Sequence, residues 1–341
     1  MRIWFNHWFS TAYHLIDLMK RGFPEPLTVI GSGSNPLAVY RKLCDEWYEE
    51  CDLPPEAYVE FCLRFCKEHG VDVFVPRRGL EAAAGARKRF EALGVRLFAE
   101  RDGALIRTLD DKAAAYALLE RVVPETIPEY RVVRSREEFD AALDGMASPG
   151  RRLCYKLTQD EGARSFRVID ERIVRGEAIL TKPGSKVTRA MADAVLSEYD
   201  FSIPVLVMPY YDGADVSVDC LDTEQGPLML IRTKVGRYHR TITHPGIQDL
   251  CGRIMRALRF EMPVNIQFKM DGEIPRLLEI NPRMSGGLQQ SCLATGINLP
   301  ALALRKLTGL PAPWRFPEHF RPVGMVNLET PVIVDVETEE S

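Results

Sequence analysis

The chain has 341 residues, of which 46% are hydrophobic and 27% charged, and its formal net charge at pH 7 is −4. These proportions are typical of globular proteins, and the length predicts two or three packed domains. Because the chain has no basic excess, nucleic acid is not an expected partner. No apolar run reaches the ~20 residues that a membrane helix needs, so a membrane is not expected either.

The cysteines and the N-terminus favour a reducing cytoplasmic location. None of the eight cysteines forms a CxxC pair, and no histidine stands at a metal-ligand spacing from Cys62 and Cys66. Asn6 and His7 interrupt the apolar start of the chain, which therefore lacks a signal-peptide layout. The sequence predicts unbridged thiols in the cytoplasm.

The first hundred residues alternate between strand and helix patterns. An apolar strand at 2–6 precedes a helix that we expect to end at Gly22 in a C-cap role, and a second strand at 27–34 runs into a loop of small residues. The pattern continues with a helix, a strand, a helix and a strand at 56–70, 71–76, 80–94 and 95–99. This alternation predicts a parallel, doubly wound sheet.

The glycines of GSGS at 31–34 suggest a dinucleotide-binding loop, but their position and spacing do not fit one. The dinucleotide fingerprint requires GxGxxG after the first strand, whereas this loop follows the second strand and has Pro36 at the third glycine position. A tight turn or a loop on the substrate side is favoured instead.

After residue 108 the pattern changes, and two lysines stand out. A helix is predicted over 108–122 with Lys112 near its start, and a strand over 152–158 carries Lys156. Residues 204–222 predict a strand, a turn and a second strand. Residues 229–240 predict one further strand, which carries Arg232 and Lys234.

The stretch VNIQFKMDGEIPRLLEINPR predicts a hairpin around a DG turn. Alternation along the second strand puts Glu279, Asn281 and Arg283 on one face, and the antiparallel partner places Gln267 beside Glu279. Carboxylate and amide oxygens suit Mg²⁺, which usually keeps substrate phosphates and water as further ligands. The alternative is an exposed polar face without a ligand.

Three basic side chains extend this pattern towards a polyphosphate site. Arg283 offers a planar cation suited to phosphate or carboxylate, and Lys112 and Lys156 add charge from separate elements. Together with the oxygen donors of the hairpin, they predict a site for a metal and a polyphosphate.

The run NIQF…LLEINPR followed by LATGINLPALALRKLTG is similar to the metal-binding hairpin and following helix of ATP-grasp proteins. The pattern resembles one ATP-grasp unit of the carbamoyl-phosphate synthetase large chain in particular. DEWYEECDLPPEAYVEFCLRFCKEHGVDVFVP resembles the pre-ATP-grasp domain of that family, and DDK at 110–112 resembles the entry into its ATP-binding region. The resemblance spans nearly the whole chain.

The resemblance implies a mixed α/β and α+β fold. A doubly wound parallel-sheet domain (pre-ATP-grasp) would come first, followed by a two-subdomain ATP-grasp fold that holds MgATP between its subdomains. The implied domains are 1–108 for the pre-ATP-grasp domain, 109–204 for the small subdomain and 205–341 for the large subdomain with the hairpin.

The resemblance also implies roles for individual residues. ATP phosphates would contact Lys112 and Lys156, adenine would lie along Met208, Tyr210 and Tyr211, and ribose would bind Asp215. The metal, Mg²⁺ with Mn²⁺ as an alternative, would bind Gln267, Glu279 and Asn281, and Arg283 would be catalytic. The chain departs from the family pattern at Met208, where an acid is common. It also departs in loop 160–167, which would be the flexible loop over the phosphates but has a single glycine where the family is glycine-rich.

The implied activity is an ATP-dependent ligation of a carboxylate and an amine through an acyl phosphate, with release of ADP and phosphate. The substrates would be small molecules, and a homodimer is left open. One ATP-grasp unit without a glutaminase-like segment makes carbamoyl-phosphate synthesis itself unexpected. A non-ligating ATP-binding sensor or scaffold remains the alternative.

Substrate residues and a general base are less defined. Arg77 and Arg78 leave the carboxyl end of a predicted parallel strand, where open α/β sheets bind ligands, although a solvated loop is the alternative. Further substrate candidates are Arg232 and Lys234. The base candidates, each with a structural or surface role as the alternative, are His7, His239 and His244.

Overall fold

A computed structural model describes residues 1–172, 184–236, 238–313, 315–317, 319–328, 331 and 333. The chain divides into two compact units. The first unit comprises Met1–Arg107, Val216–Ile266 and Ile280–Ser341, and the second comprises Thr108–Asp215 and Gln267–Glu279. The predicted three-domain arrangement, 1–108, 109–204 and 205–341, stays a prediction.

The first unit begins with the predicted parallel sheet, in the order β3-β2-β1-β4-β5. Its strands are β1 (Arg2–Asn6), β2 (Thr28–Gly33), β3 (Glu46–Glu49), β4 (Val73–Val75) and β5 (Arg96–Leu97). The connecting helices are α1 (Ala12–Gly22), α2 (Pro55–Glu68), α3 (Leu80–Gly85) and α4 (Arg87–Ala92), followed by α5 (Gly103–Asp110). The doubly wound parallel sheet is therefore confirmed.

Both faces of this sheet are buried, which explains the nearly continuous apolar sequence of its strands. Along β1, Ile3 and Phe5 belong to one core cluster and Trp4 to another, as the two-residue period of a strand requires. The Trp4 ring stacks on Phe65 and Phe74, with centroid distances of 4.3 and 4.1 Å. Aromatic packing therefore fixes one face of the sheet against α2.

Gly22 does not have the predicted C-cap role. It is the last residue of α1, and the C-cap residue, Phe23, is extended. A Cβ atom at Gly22 would lie 2.6 Å from the Cβ atom of Ala301, so close packing against a distant segment requires glycine there.

The predicted loop of small residues after β2 is also wrong, because the strand continues through Gly33. Gly31 lies opposite Trp47 of β3, and a Cβ atom there would come within 2.8 Å of the indole ring. These glycines therefore allow a bulky neighbour to pack on the sheet.

Two predicted helices are each interrupted. The helix expected over 80–94 breaks at Ala86, directly after Gly85, a residue of low helix propensity, into α3 and α4. The helix expected over 108–122 is divided at Asp111, whose side chain accepts a hydrogen bond from the Ala114 amide at 3.0 Å and caps a new helix, α6 (Lys112–Leu119).

The second unit contains a sheet in the order β6-β10-β7-β8-β9. Its strands are β6 (Arg131–Val133), β7 (Leu153–Leu157), β8 (Arg167–Ile169), β9 (Lys186–Val187) and β10 (Val205–Pro209). The helices α7 (Arg136–Met146) and α8 (Arg189–Ser197) pack on it through a core that includes Phe139, Leu143, Val205 and Val207. The predicted strands at 152–158 and from 204 are confirmed.

A third sheet has the order β15-β14-β11-β12-β13-β16. Its strands are β11 (Asp215–Thr223), β12 (Gly226–Val235), β13 (Tyr238–Thr241), β14 (Val264–Asp271), β15 (Ile274–Asn281) and β16 (Gly324–Val326). The hairpin of β14 and β15 is as predicted. The single strand expected over 229–240 is instead two antiparallel strands, with Gly236 in the left-handed region between them.

The first unit also contains the helices α9 (Pro245–Leu258), α10 (Leu288–Thr295) and α11 (Leu299–Leu307). All eight cysteines are free, in agreement with the prediction of unbridged thiols. Among the described helices, none combines the length and the apolarity needed to span a membrane. The cytoplasmic location stays a prediction.

Candidate active site

Lys112 is a nearly buried cation at the start of α6 in the second unit. Its residue is 5% exposed, and its backbone amide donates to the carbonyl of Thr158 at 2.9 Å. The ammonium donates to the carbonyl of Asp160 at 3.0 Å and lies 3.9 Å from the nearer carboxylate oxygen of Glu279. The lysine thus lies between loop 160–167 and β15.

Lys156 approaches the same part of β15 from the middle of β7. It is 8% exposed, and its ammonium donates to the carbonyl of Leu278 at 3.3 Å. The Tyr116 hydroxyl donates to the same carbonyl at 2.9 Å, so a helix, a strand and the hairpin are tied together here. The structure therefore brings together three of the predicted site residues: Lys112, Lys156 and Glu279.

The positive charges of these two buried lysines are only partly balanced by nearby anions. Burial lowers the pKa of Lys156 to about 8; the charge of Lys112 lowers it further and that of Glu279 opposes the shift. In the described part of the chain, each ammonium has a hydrogen bond to a carbonyl and none to a carboxylate. One nearby carboxylate, that of Glu279 at 3.9 Å from Lys112, stands against two buried ammonium groups, so the arrangement suits an additional anionic ligand.

Lys156→Met is expected to stabilise the protein without nucleotide at pH 7 by about 3–4 kcal/mol. The lysine pKa falls from 10.5 to about 8, and each unit corresponds to about 1.4 kcal/mol. Between pH 8 and 10.5 the unfolded chain binds more protons than the folded one, so wild-type stability should rise across this window. The advantage of the variant should shrink accordingly. Urea unfolding at pH 7 and pH 10 measures both effects.

The control is Lys88→Met, the same change at an exposed position of α4. It should alter stability by no more than about 0.5 kcal/mol, with little dependence on pH. A Lys156→Met protein that is less stable than wild type at pH 7 would contradict the interpretation of Lys156 as an uncompensated charge.

Loop 160–167, the predicted phosphate loop, is hydrogen-bonded within itself. The Asp160 carboxylate accepts hydrogen bonds from the amide and the hydroxyl of Ser165 at 2.8 and 2.7 Å. Gly162 and Ala163 both adopt positive φ, at 65° and 56°. Its position next to Lys112 is observed, while its closure over phosphate stays a prediction.

The predicted adenine residues lie at the end of β10. The Tyr210 and Tyr211 side chains line a cavity of about 350 Å³, together with Glu129, Arg151, Pro209, Asp271 and Arg276. The guanidinium of Arg152 lies 4.7 Å from the ring centroid of Tyr210, and that of Arg276 lies 5.8 Å from that of Tyr211. Met208 is buried within the strand and does not line this cavity.

Asp215, the predicted ribose residue, opens β11. Its carboxylate accepts a hydrogen bond from the Lys269 ammonium on β14 at 2.8 Å. An incoming ribose hydroxyl would have to share the carboxylate with this lysine, so the ribose role stays a prediction.

The predicted metal ligands lie on the two neighbouring strands of the hairpin, Gln267 on β14 and Glu279 and Asn281 on β15. The first two belong to the second unit and Asn281 to the first. The Glu279 side chain is 28% exposed and therefore accessible to a ligand. Within the described ranges, no group of three or more His, Cys, Asp or Glu could hold a metal. The oxygen-only donor set fits Mg²⁺, and its role stays a prediction.

Arg283 follows β15 in the first unit. Its amide donates to the carbonyl of Asn281 at 2.8 Å, and its guanidinium lies 5.6 Å from the ring centroid of Phe9. A Cβ atom at Gly286 would lie 3.7 Å from the same ring and 3.4 Å from the Thr11 hydroxyl. The loop after β15 therefore packs against segment 7–11, which follows β1 in the same unit.

Arg232, a predicted substrate residue, belongs to a buried network in the first unit. It is 6% exposed, and its guanidinium donates to the hydroxyls of Ser217 and Ser291 at 3.2 and 3.3 Å. A Cβ atom at Gly287 would lie 2.8 Å from the Arg232 Cζ atom. Arg232 therefore supports the loop that follows Arg283, and its part in substrate binding stays a prediction.

Asp219 is the centre of this network and was not singled out from the sequence as functional. It accepts hydrogen bonds from Asn265, Ser285 and Ser291 at 2.8, 2.7 and 2.8 Å, and Arg232 lies 3.7 Å away. The alternation of Asp215, Ser217 and Asp219 was a visible signal, but its distant partners were not.

The remaining substrate candidates lie apart from this network. Arg77 and Arg78 follow β4, at the carboxyl end of the parallel sheet as predicted. The Arg78 guanidinium pairs with Asp52 at 2.8 Å and stacks on Tyr58 at 4.6 Å from the ring centroid. Lys234 is exposed on β12, opposite His239 of β13.

Comparison with known proteins adds a family match. Residues 202–331 match a family model described as "ATP-grasp in the biosynthetic pathway with Ter operon". The arginine-specific large chain of carbamoyl phosphate synthase from Bacillus subtilis is 21% identical over 323 residues, which are 88% of this chain. The chain spans 28% of the length of that relative. The predicted resemblance is confirmed.

Solved structures share the fold. The biotin carboxylase domain of the Hydrogenobacter thermophilus 2-oxoglutarate carboxylase, solved as a dimer with MgADP, ADP and bicarbonate, has a TM-score of 0.65 at 15% identity; the match covers 92% of this chain and 70% of that one. An N5-carboxyaminoimidazole ribonucleotide synthetase in complex with ADP has a TM-score of 0.68 at 12% identity, covering 96% and 80%. These likenesses establish the mixed α/β fold.

Proposed function

We propose that this chain, of which residues 202–331 match an ATP-grasp family model, is an ATP-dependent ligase that joins a small-molecule carboxylate to an amine. The observation that carries the proposal is the pair of nearly buried lysines, Lys112 and Lys156, that approach residues 278–279 without a carboxylate hydrogen bond. A polyphosphate would balance the positive charge that remains beyond the Glu279 carboxylate, and this accessible carboxylate would also hold the metal that accompanies a polyphosphate.

The reaction follows from the charges on these residues. Lys112 and Lys156 bind the phosphates, and Tyr210 and Tyr211 provide aromatic surface for adenine. When bound at Gln267, Glu279 and Asn281, Mg²⁺ neutralises charge on the phosphates. Arg283 stabilises the transferred phosphoryl group through two parallel hydrogen bonds.

Two successive bond exchanges then form the product. An oxygen of the substrate carboxylate bonds to the γ-phosphorus, and ADP leaves with the electron pair of the broken bond. The amine nitrogen next bonds to the carbonyl carbon of the acyl phosphate, phosphate leaves, and the nitrogen loses a proton. An amide, ADP and phosphate result.

The compared proteins support this reaction class. The names of the similar proteins include a carboxylase, a synthetase and a carbamoyl phosphate synthase, and two of the solved structures contain ADP. One of the similar domains was solved as a dimer. A homodimer that works in the cytoplasm on small molecules is therefore part of the proposal.

Nucleotide binding is testable without knowing the substrates. MgATP at 100 times its dissociation constant should raise the free energy of unfolding by about 2.7 kcal/mol, and ATP with a chelator should raise it less. Lys156→Met should lose most of this gain in a melting experiment, and Lys88→Met should keep it. Identical melting curves with and without saturating MgATP would refute the proposal.

Ligase activity is tested by ADP release. Pools of carboxylic acids, combined with ammonium chloride or hydroxylamine, should contain at least one acid that makes ADP release exceed the rate with MgATP alone. If MgATP stabilises the protein but none of the pools stimulates ADP release, the protein would instead be the non-ligating sensor or scaffold.

A further inference from the structure

A buried polar cluster lies at the carboxyl ends of the first three strands in the first unit. Glu50, the residue after β3, is 6% exposed. Its carboxylate accepts hydrogen bonds from the Ser32 hydroxyl at 2.5 Å, the Tyr58 hydroxyl at 2.8 Å and His7 Nε2 at 2.8 Å. Burial raises the pKa of Glu50, but these hydrogen bonds outweigh burial and lower the pKa overall, so the group is a carboxylate at neutral pH.

The carboxylate of Glu50 decides where the His7 ring carries its hydrogen. A carboxylate can only accept hydrogen bonds, so Nε2 of His7 must donate, and in the neutral ring the lone pair lies on Nδ1. Nδ1 has no hydrogen-bond partner among the described residues. It is also absent from the described buried polar atoms that lack a partner, so it is not buried. Nδ1 is therefore a basic atom that solvent reaches.

The backbone also holds the ring in place. His7 follows β1 directly and has a φ of 47°, in the left-handed region that non-glycine residues seldom adopt. Its amide donates to the carbonyl of Ser32 at 2.8 Å. Two strand ends thus determine the position of the imidazole, at an edge where parallel sheets bind ligands.

The charged groups around the ring come from two loops. Glu50 follows β3, and Arg78, which follows β4, places a guanidinium nitrogen 3.5 Å from Nε2. Arg78 itself is paired with Asp52 at 2.8 Å.

Segment 7–11 connects this edge to the loop of Arg283. Phe9, two residues after His7, lies under the Arg283 guanidinium, and Thr11 approaches Gly286. Within the first unit, the loop of the proposed phosphoryl-binding arginine therefore contacts the same short segment that begins with His7.

We infer that His7, oriented by Glu50, is the proton acceptor for the amine that attacks the acyl phosphate. The inference rests on the proposed function. The attacking nitrogen arrives as an ammonium ion and gives one proton to Nδ1 of His7. The neutral nitrogen then bonds to the carbonyl carbon, phosphate leaves with the electron pair of the broken carbon–oxygen bond, and the departing phosphate takes the second proton. A purely structural role of the His7–Glu50 pair would explain the hydrogen bonds of Glu50, but it would not explain why Nδ1 of His7 is left accessible with a lone pair.

The first test needs no substrate. A long-range proton–nitrogen correlation spectrum of the ¹⁵N-labelled full chain reports the tautomer of each histidine, and the signals absent from His7→Asn identify His7. We expect Nε2 to be protonated and Nδ1 unprotonated in the neutral ring. The opposite tautomer would overturn the inference. Asparagine tolerates the left-handed backbone, so His7→Asn should fold.

The second test separates the two half-reactions. Hydroxylamine is largely unprotonated at neutral pH and traps an acyl phosphate without a base, whereas ammonium must first lose a proton. With an acid from the ADP-release screen, His7→Asn should form the hydroxamate within about twofold of wild type. Its amide formation from ammonium chloride should be about 10²-fold slower at pH 7 and should recover partly at pH 9.

The control is His14→Asn, which changes an exposed histidine of α1 and should leave both reactions unchanged. Equal losses with hydroxylamine and ammonium, or no loss with either, would overturn the role of His7. If no acid stimulates ADP release by the wild-type chain, the proposed function fails. The tautomer experiment still tests separately whether Glu50 orients His7 as inferred.

Discussion

Glu279→Gln is expected to lower ADP release by about 10³-fold or more while the protein stays folded. The change keeps the size of the side chain and removes the only carboxylate of the proposed metal site, and metal ions contribute several kcal/mol to the stabilisation of transition-state charge. The Glu279 carboxylate also lies 3.9 Å from the Lys112 ammonium, so its loss leaves this cation less compensated. The rate of ADP release at saturating ATP and the melting temperature measure the two effects.

The control for this variant is Glu273→Gln, which makes the same change at an exposed position in the turn of the same hairpin. It should retain near-normal turnover. A Glu279→Gln protein that released ADP at the wild-type rate would indicate that the hairpin is only structural and would remove the metal site from the proposal.

Arg283→Lys is expected to lower kcat by about 10²–10³ with little change in the affinity for ATP. A lysine keeps the charge but cannot make two parallel hydrogen bonds to a phosphoryl group. Loss of a donor aimed at transition-state charge typically costs about 3–4 kcal/mol. The lysines and the aromatic residues after β10 still bind the nucleotide. Steady-state kinetics with varied ATP separates kcat from KM.

Arg253→Lys on α9 is the control, because it makes the same change on a helix surface of the same unit and should leave both constants unchanged. If Arg283 instead anchors the ground state of ATP or the loop after β15, the variant will show a raised KM or a lost melting transition at near-normal kcat. That pattern would remove Arg283 from the catalytic residues.

The elements of the site were predictable because their signals are local. Strands alternate their faces every two residues, so the hairpin at 264–281 and the strand with Lys156 could be located without any tertiary information. The parallel sheet followed from the regular alternation of strand and helix patterns. The resemblance to ATP-grasp proteins was visible for the same reason, since LLEINPR at the end of the hairpin is contiguous in sequence.

The polar networks were not predictable, because their members are far apart in sequence. Asp219 contacts Ser291, 72 residues later, and Glu50 contacts His7, 43 residues earlier. No local period links such residues, and each looks like an ordinary polar residue when taken alone. Their burial became visible only once the strands and loops were assembled.

The sequence by itself determined which segments become strands and helices and which types of donor they carry, because backbone periodicity and turn chemistry act over a few residues. The tertiary structure alone decided which of those donors are buried and what they contact. Gly22 is required by Ala301 rather than by a helix end, Arg232 supports a loop, and Glu50 orients His7. Each of these roles depends on close packing and desolvation, which arise only when distant segments meet.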